Sequence, residues 1–211
     1  MSRSAVLVNA LTFSRPPLIF LWLLFALLEE FCGGFVWGAA ATFAMFLSGL
    51  TDAFDGWLAR RWNVVSPLGK MADPLMDKVF YVVVFPSLTW LAMHQGEGEG
   101  HALVLLAFTI LYILRDLWVT FLRSVVSLYG GDCAAMWLGK VRTALSFPAA
   151  GWVYLYLFLH PALPARGAQA WLATCYAVEC AMIALNMLSF FTYTRAYAPY
   201  LKKALEQNRN L

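Results

Sequence analysis

Long apolar runs separated by short polar clusters make up most of this chain. Residues 5–28, 35–58, 67–94, 102–126, 139–159 and 168–191 are each predominantly apolar. Crossing the hydrocarbon core of a bilayer as a helix takes about 20 such residues, and each run approaches or exceeds that length. The runs are too long and too apolar for the weak alternation of an outer-membrane barrel. The pattern predicts an all-α integral membrane protein with six transmembrane helices in a single domain over residues 1–211.

The polar clusters punctuate the runs. Glu29 and Glu30 close the first run, and the acidic, glycine-rich loop Gln95–Gly100 closes the third. Pro16 and Pro17 either kink the first helix or mark its true start. Gly34 and Gly38 have the small-xxx-small spacing that lets helices approach closely. Ser66-Pro67 reads as an N-cap followed by a first-turn proline. Asp73-Pro74 has the same look one or two turns later, so the start of the third helix stays open between the two.

Composition agrees with the pattern, since 62% of the residues are apolar and only 13% charged, against roughly a quarter charged in soluble domains. The net charge of +3 matters less than its placement. Of the 15 Lys and Arg, all but Arg166 fall at one set of helix ends or in the segments beyond them. By the positive-inside rule that side is cytoplasmic, and six spans put both termini there. Residues 195–211 form a basic cytoplasmic tail, suited to lying on anionic lipid or to simple solvation. There is no basic patch of the kind that binds nucleic acid. None of the four cysteines forms a Cys-x-x-Cys pair, which leaves no metal or redox motif of that type.

The chemistry concentrates between Asp52 and Asp77. Asp52 and Asp55 are three apart and share one helix face, while Asp73 and Asp77 are four apart and share another. Four carboxylates converging near a membrane repel unless cations sit between them. Hard oxygen ligands select Mg2+, Mn2+ or Ca2+ rather than zinc. Two such ions bridged by aspartates suit phosphoryl transfer. Gly56 and Ala59 leave the helix bare beside the aspartates, and Arg60 is near enough to clamp a phosphate.

The arrangement Asp52-x2-Asp55-Gly56-x2-Ala59-Arg60-x8-Gly69-x3-Asp73-x3-Asp77 resembles the signature of the CDP-alcohol phosphatidyltransferases at every fixed position. The resemblance extends to the six-helix pattern and to an Asn-x-x-Thr-x-x-Arg pattern at Asn9, Thr12 and Arg15. It implies displacement of CMP from a CDP-linked lipid by an alcohol, with the active site at the cytoplasmic ends of helices 2 and 3. Asp52, Asp55, Asp73 and Asp77 would hold two Mg2+ (or Mn2+) ions, with Asp77 also the base for the attacking hydroxyl. Gly56, Ala59 and Arg60 would receive the CDP moiety, with Ser66 on the diphosphate and Asn9 and Thr12 bordering the nucleotide. A homodimer in a bacterial-type inner or plasma membrane is implied as well.

The second half bears on the acceptor. Arg115 and Arg123 lie eight apart on roughly one helix face, and Lys140 and Arg142 open the fifth helix on the same side. Four cations suggest an acceptor that carries a phosphate; positive-inside topology is the plainer explanation for any one of them. Asp116 reads as a local partner of Arg115. The stretch from Arg115 to Thr143 resembles the phosphatidylglycerophosphate synthase branch, which implies CDP-diacylglycerol and glycerol 3-phosphate as substrates. That branch usually has a lysine where this chain has Arg142 and a glutamine where it has Ser146. Rival acceptors are inositol phosphate and serine, and a CDP-alcohol is a rival donor. A divalent-cation transporter is the remaining alternative; its carboxylates would be expected near the midplane, often within a repeat.

Overall fold

The computed structural model describes residues 3–62, 67–95, 99–134 and 136–209; side chains are described for all of these except residues 3–5, 59–60, 67–71, 73 and 208–209. The described residues contain no strand. Six long helices follow one another: α1 (Arg3–Cys32), α2 (Phe35–Arg61), α3 (Pro67–His94), α4 (Glu99–Leu128), α5 (Trp137–Leu159) and α6 (Ala165–Arg209). A short 3-10 turn, His160–Ala162, joins the last two.

The helix limits match the apolar runs closely, with informative exceptions. Pro16 and Pro17 lie inside α1, so they do not mark its start. A membrane helix tolerates the backbone groups such prolines free, because neighbouring helices and hydroxyl side chains re-satisfy them. α3 begins at Pro67, in keeping with the earlier of its two possible starts, and Pro74 lies within it. Ser66 itself is outside the described residues. Gly34 is in the α1–α2 connection at φ +107°, a conformation that favours glycine. It therefore does not pair with Gly38 on a helix face. Gly38 does mark a close approach, to a ring rather than a backbone: a Cβ there would lie 1.9 Å from Phe158 of α5.

Among the described residues, five helices are long and apolar enough to cross a membrane by length and composition: α1, α2, α3, α4 and α6. α5 is 23 residues long, but Lys140, Arg142 and Pro148 dilute its hydropathy. Residues 195–209 continue α6 without a break.

The core runs along the middle of the bundle. Trp22, Phe85, Leu88, Tyr112, Tyr154 and Leu157 are essentially fully buried and come from α1, α3, α4 and α5. Phe85 makes edge-to-face contacts with Phe108 at 4.7 Å and Tyr112 at 4.9 Å. Such pairs add about 0.5–1.5 kcal/mol each beyond the area they bury. α1 packs mainly on α2 and α3, and α4 mainly on α6.

The two ends of the bundle differ in kind. At one, His101 Nε2 lies 2.8 Å from Glu179, and both side chains are buried. At the other, where α2 ends and α3 begins, charged side chains from several helices line a cleft.

Candidate active site

A cleft of about 1220 Å³ opens at this charged end and is lined from α1–α3 on one side and α4–α6 on the other. On the first wall stands Arg15, buried on α1 (5% exposed). Its guanidinium reaches Asp52 at 2.6 Å, Asp77 at 3.6 Å, and Asp55. Asp55 is itself buried and accepts a further hydrogen bond from the Thr12 hydroxyl at 2.9 Å. Asp52 and Asp77 stay open to the cleft, with side chains 58% and 41% exposed. Three carboxylates from two helices thus share one cation from a third. The helical spacing of Asp52 and Asp55 turns both toward α1, and the short α2–α3 connection brings Asp77 to meet them.

Asp52, Asp55, Gly56 and Asp77 therefore come together, as the spacing suggests. The Asp73, Ala59 and Arg60 side chains and all of Ser66 lie outside the described residues. Asn9 and Thr12 are buried on α1 rather than among the described cleft residues. Thr12 here serves Asp55. Arg15 had a visible signal, the Asn-x-x-Thr-x-x-Arg pattern, yet its place at the centre of the aspartates needed the packing of α1 on α2 and α3.

The opposite wall inverts this pattern. Asp116 of α4 is the shared anion. It accepts from Arg142 Nη2 at 3.2 Å and from the Tyr81 hydroxyl at 2.5 Å, and lies 3.4 Å from Lys78 Nζ. Its sequence neighbour Arg115 is more distant, at 3.9 Å. Arg142 also donates to Asn186 at 3.0 Å and lies 4.0 Å from the ring centre of Tyr112. Arg115 donates to Ser189 and sits over the ring of Tyr193, as does Arg123. The Nε–H groups of Arg115, Arg123 and Arg142 are buried with no hydrogen-bond acceptor. Lys140 is exposed at the start of α5 and lines the cleft. All four sequence-picked cations line one cavity, two of them largely engaged internally. Asp116 and Lys78 join them, and so do Tyr81 and Tyr193, which have no individual sequence signal.

Could the acidic wall take a divalent ion? Among the described residues no group of three carboxylate, histidine or cysteine side chains has the spacing of a metal site. The aspartates converge on Arg15 instead. Their chemistry nevertheless fits a hard cation. Three carboxylates against one guanidinium leave the wall net negative, and two of the three face the cleft.

Two walls of opposite excess charge facing one cavity suit a reactant that carries phosphate groups, one bound through cations and one held directly by arginine and lysine. A family model described as CDP-alcohol phosphatidyltransferase matches residues 5–183. The chain belongs to the CDP-alcohol phosphatidyltransferase family. A relative from Salmonella choleraesuis named CDP-diacylglycerol–glycerol-3-phosphate 3-phosphatidyltransferase is 30% identical over 122 residues, covering 56% of this chain and 63% of the relative. A protein of the same name from Escherichia coli (strain K12) is 31% identical over 116 residues, 54% of this chain and 59% of its own length. A Streptomyces coelicolor protein named cardiolipin synthase (CMP-forming) is 30% identical over 161 residues, 76% of this chain and 64% of the relative. The matches span just under two thirds of these relatives' lengths.

Proposed function

We propose that this member of the family transfers the phosphatidyl group of CDP-diacylglycerol to the hydroxyl of sn-glycerol 3-phosphate, releasing CMP. The observation that carries this reading is the cleft with an aspartate wall on α1–α3 and an arginine and lysine wall on α4–α6. The relatives' names favour the same donor and acceptor. In this reading the chain crosses the membrane six times, α5 included. Both termini and the cleft face the cytoplasm, consistent with the placement of lysine and arginine. A homodimer is expected by analogy with the family.

Mg2+ or Mn2+ would be held by Asp52, Asp55 and Asp77 together with Asp73. Once bound, the ions would neutralise the donor diphosphate and stabilise the departing CMP phosphate. The chain's own residues do the rest. Gly56, Ala59 and Arg60 receive the CDP moiety. Arg15 and Thr12 keep Asp55 oriented. Arg123 and Lys140 draw in the acceptor phosphate, with Arg115 and Arg142 behind them. Asp77 takes the proton from the acceptor hydroxyl as its oxygen bonds to the phosphatidyl phosphorus. The bond from that phosphorus to the CMP oxygen breaks, and CMP leaves with the electron pair.

The test is CMP release by the purified protein in detergent with CDP-diacylglycerol and one acceptor per tube. Release with glycerol 3-phosphate, lost in EDTA and restored by Mg2+ or Mn2+, is the expected outcome. Release that ignores EDTA would sink the metal assignment. The cardiolipin synthase relative, which aligns over more of this chain, makes phosphatidylglycerol the acceptor to run beside it. Inositol phosphate and serine complete the series. Release only with one of those three would discard glycerol 3-phosphate. Silence with every acceptor, together with Mn2+ uptake into proteoliposomes, would favour a transporter.

A further inference from the structure

The sequence match to the family ends at residue 183, and the cationic wall does not. Ten residues further along α6, Tyr193 is fully buried at the back of that wall. Its ring centre lies 4.9 Å from the Arg115 guanidinium and 5.4 Å from that of Arg123. Its hydroxyl accepts a hydrogen bond from Arg123 Nη2 at 3.0 Å and one from the Met136 backbone N–H at 2.7 Å.

Each contact has a physical consequence. Two guanidinium groups on one face of α4 repel each other, and a shared aromatic face offsets that repulsion while holding each in place. Met136 is the N-cap residue of α5, and its carbonyl accepts from the Gly139 and Lys140 N–H groups. The Tyr193 hydroxyl therefore pins the start of the turn that carries Lys140. Gly139 leaves room for this: a Cβ there would lie 2.8 Å from the Tyr193 hydroxyl and 3.5 Å from Arg115. Behind the ring, Tyr197, Val119, Leu122 and Val126 pack it from α6 and α4.

We infer that Tyr193 is the positioning residue of the anion-binding wall, fixing Arg115, Arg123 and the Lys140 turn relative to one another for an acceptor phosphate. This rests on the proposed function, in which that wall binds the acceptor. Tyr193 acts through the arginines and the α5 turn.

The experiment compares wild type, Tyr193→Phe, Gly139→Ala and the double variant in the CMP-release assay, with glycerol 3-phosphate and CDP-diacylglycerol varied separately. A lost hydrogen bond to a charged group predicts a rise of roughly tenfold or more in the KM for glycerol 3-phosphate in Tyr193→Phe. The KM for CDP-diacylglycerol should stay within about twofold, and kcat at saturating acceptor should hold, because the donor wall is untouched. Gly139→Ala should show the same split. The double variant should fall short of the summed single effects, since removing the hydroxyl opens space for the methyl group. Equal rises in both KM values, a fall in kcat alone, or additive effects would overturn the inference while leaving the proposed function standing. A wild type inert with every phosphorylated acceptor would overturn both.

Discussion

The two walls of the cleft are built as opposites. On α1–α3 one buried arginine is shared by three aspartates; on α4–α6 one aspartate is shared by Arg142 and, from α3 across the cleft, by Lys78 and the Tyr81 hydroxyl. Each wall is ordered by a single ion of the minority sign and keeps an excess of the majority sign. The reason is the cost of charge near lipid. Clustered like charges at a helix end need an internal counter-ion to keep the fold together. One counter-ion among several opposite charges leaves attraction to spare for a bound partner. His101 and Glu179 at the far end differ: one histidine and one carboxylate, buried together, form a single tie between α4 and α6.

This contrast can be broken at several points. The largest effect is expected on chemistry, at Asp77→Asn. Losing the proposed general base should lower kcat by about 10²–10⁴-fold, and a variant that retains more than about a tenth of the rate would remove Asp77 from that role. Next comes the counter-ion itself. Arg15→Gln leaves Asp55 buried with Thr12 but without its cation, and breaking a buried pair in this way costs about 3–5 kcal/mol. The apparent Tm should fall much further than in Asp52→Asn, because the Asp52 side chain is 58% exposed. Equal losses would mean that the Arg15–Asp55 contact does not hold the wall together.

Asp116→Asn is the mirror experiment. It loosens Arg142, Tyr81 and Lys78 together, so the acceptor KM should rise roughly tenfold while the donor KM changes little. A larger effect on the donor would abolish the division of labour between the walls. The smallest effect is expected at Gly49→Ala on α2, where a Cβ would meet the Phe147 ring at 2.4 Å. Overpacking there should cost about 1–3 kcal/mol of stability, read as a lower apparent Tm, with both KM values unchanged.

How much of this was legible beforehand follows from the range of each interaction. The helices were readable because an apolar run of membrane length is a local property. Their limits differ mainly where α6 runs on as helix past its apolar run. The aspartate wall was also legible in part, because Asp52, Asp55 and Asp77 sit at helical spacings on adjoining helices. Its centre was less so: Arg15 lies 40 residues from Asp55 and further still from Asp77. The cationic wall was harder still. Asp116 looks like the partner of the residue beside it, yet helical geometry points the two side chains apart, and the closer partner of Asp116 is Arg142. Tyr193 carries no motif, since its role exists only where α4, α5 and α6 meet.

The length of α6 makes it a ruler. From Ala165 to Tyr193 it advances 28 residues, roughly 42 Å at helical rise, close to the ~40–45 Å of a bilayer measured across both headgroup layers. A tyrosine at that mark stands in the far headgroup layer when the helix start stands in the near one. In that placement the depth of the cleft would follow the span of one rod rather than the charged residues around it. In a thicker membrane the arginines on Tyr193 would be drawn toward hydrocarbon, and in a thinner one lifted toward water. With α6 spanning the bilayer in this way, lipid thickness would act on the cationic wall without touching it.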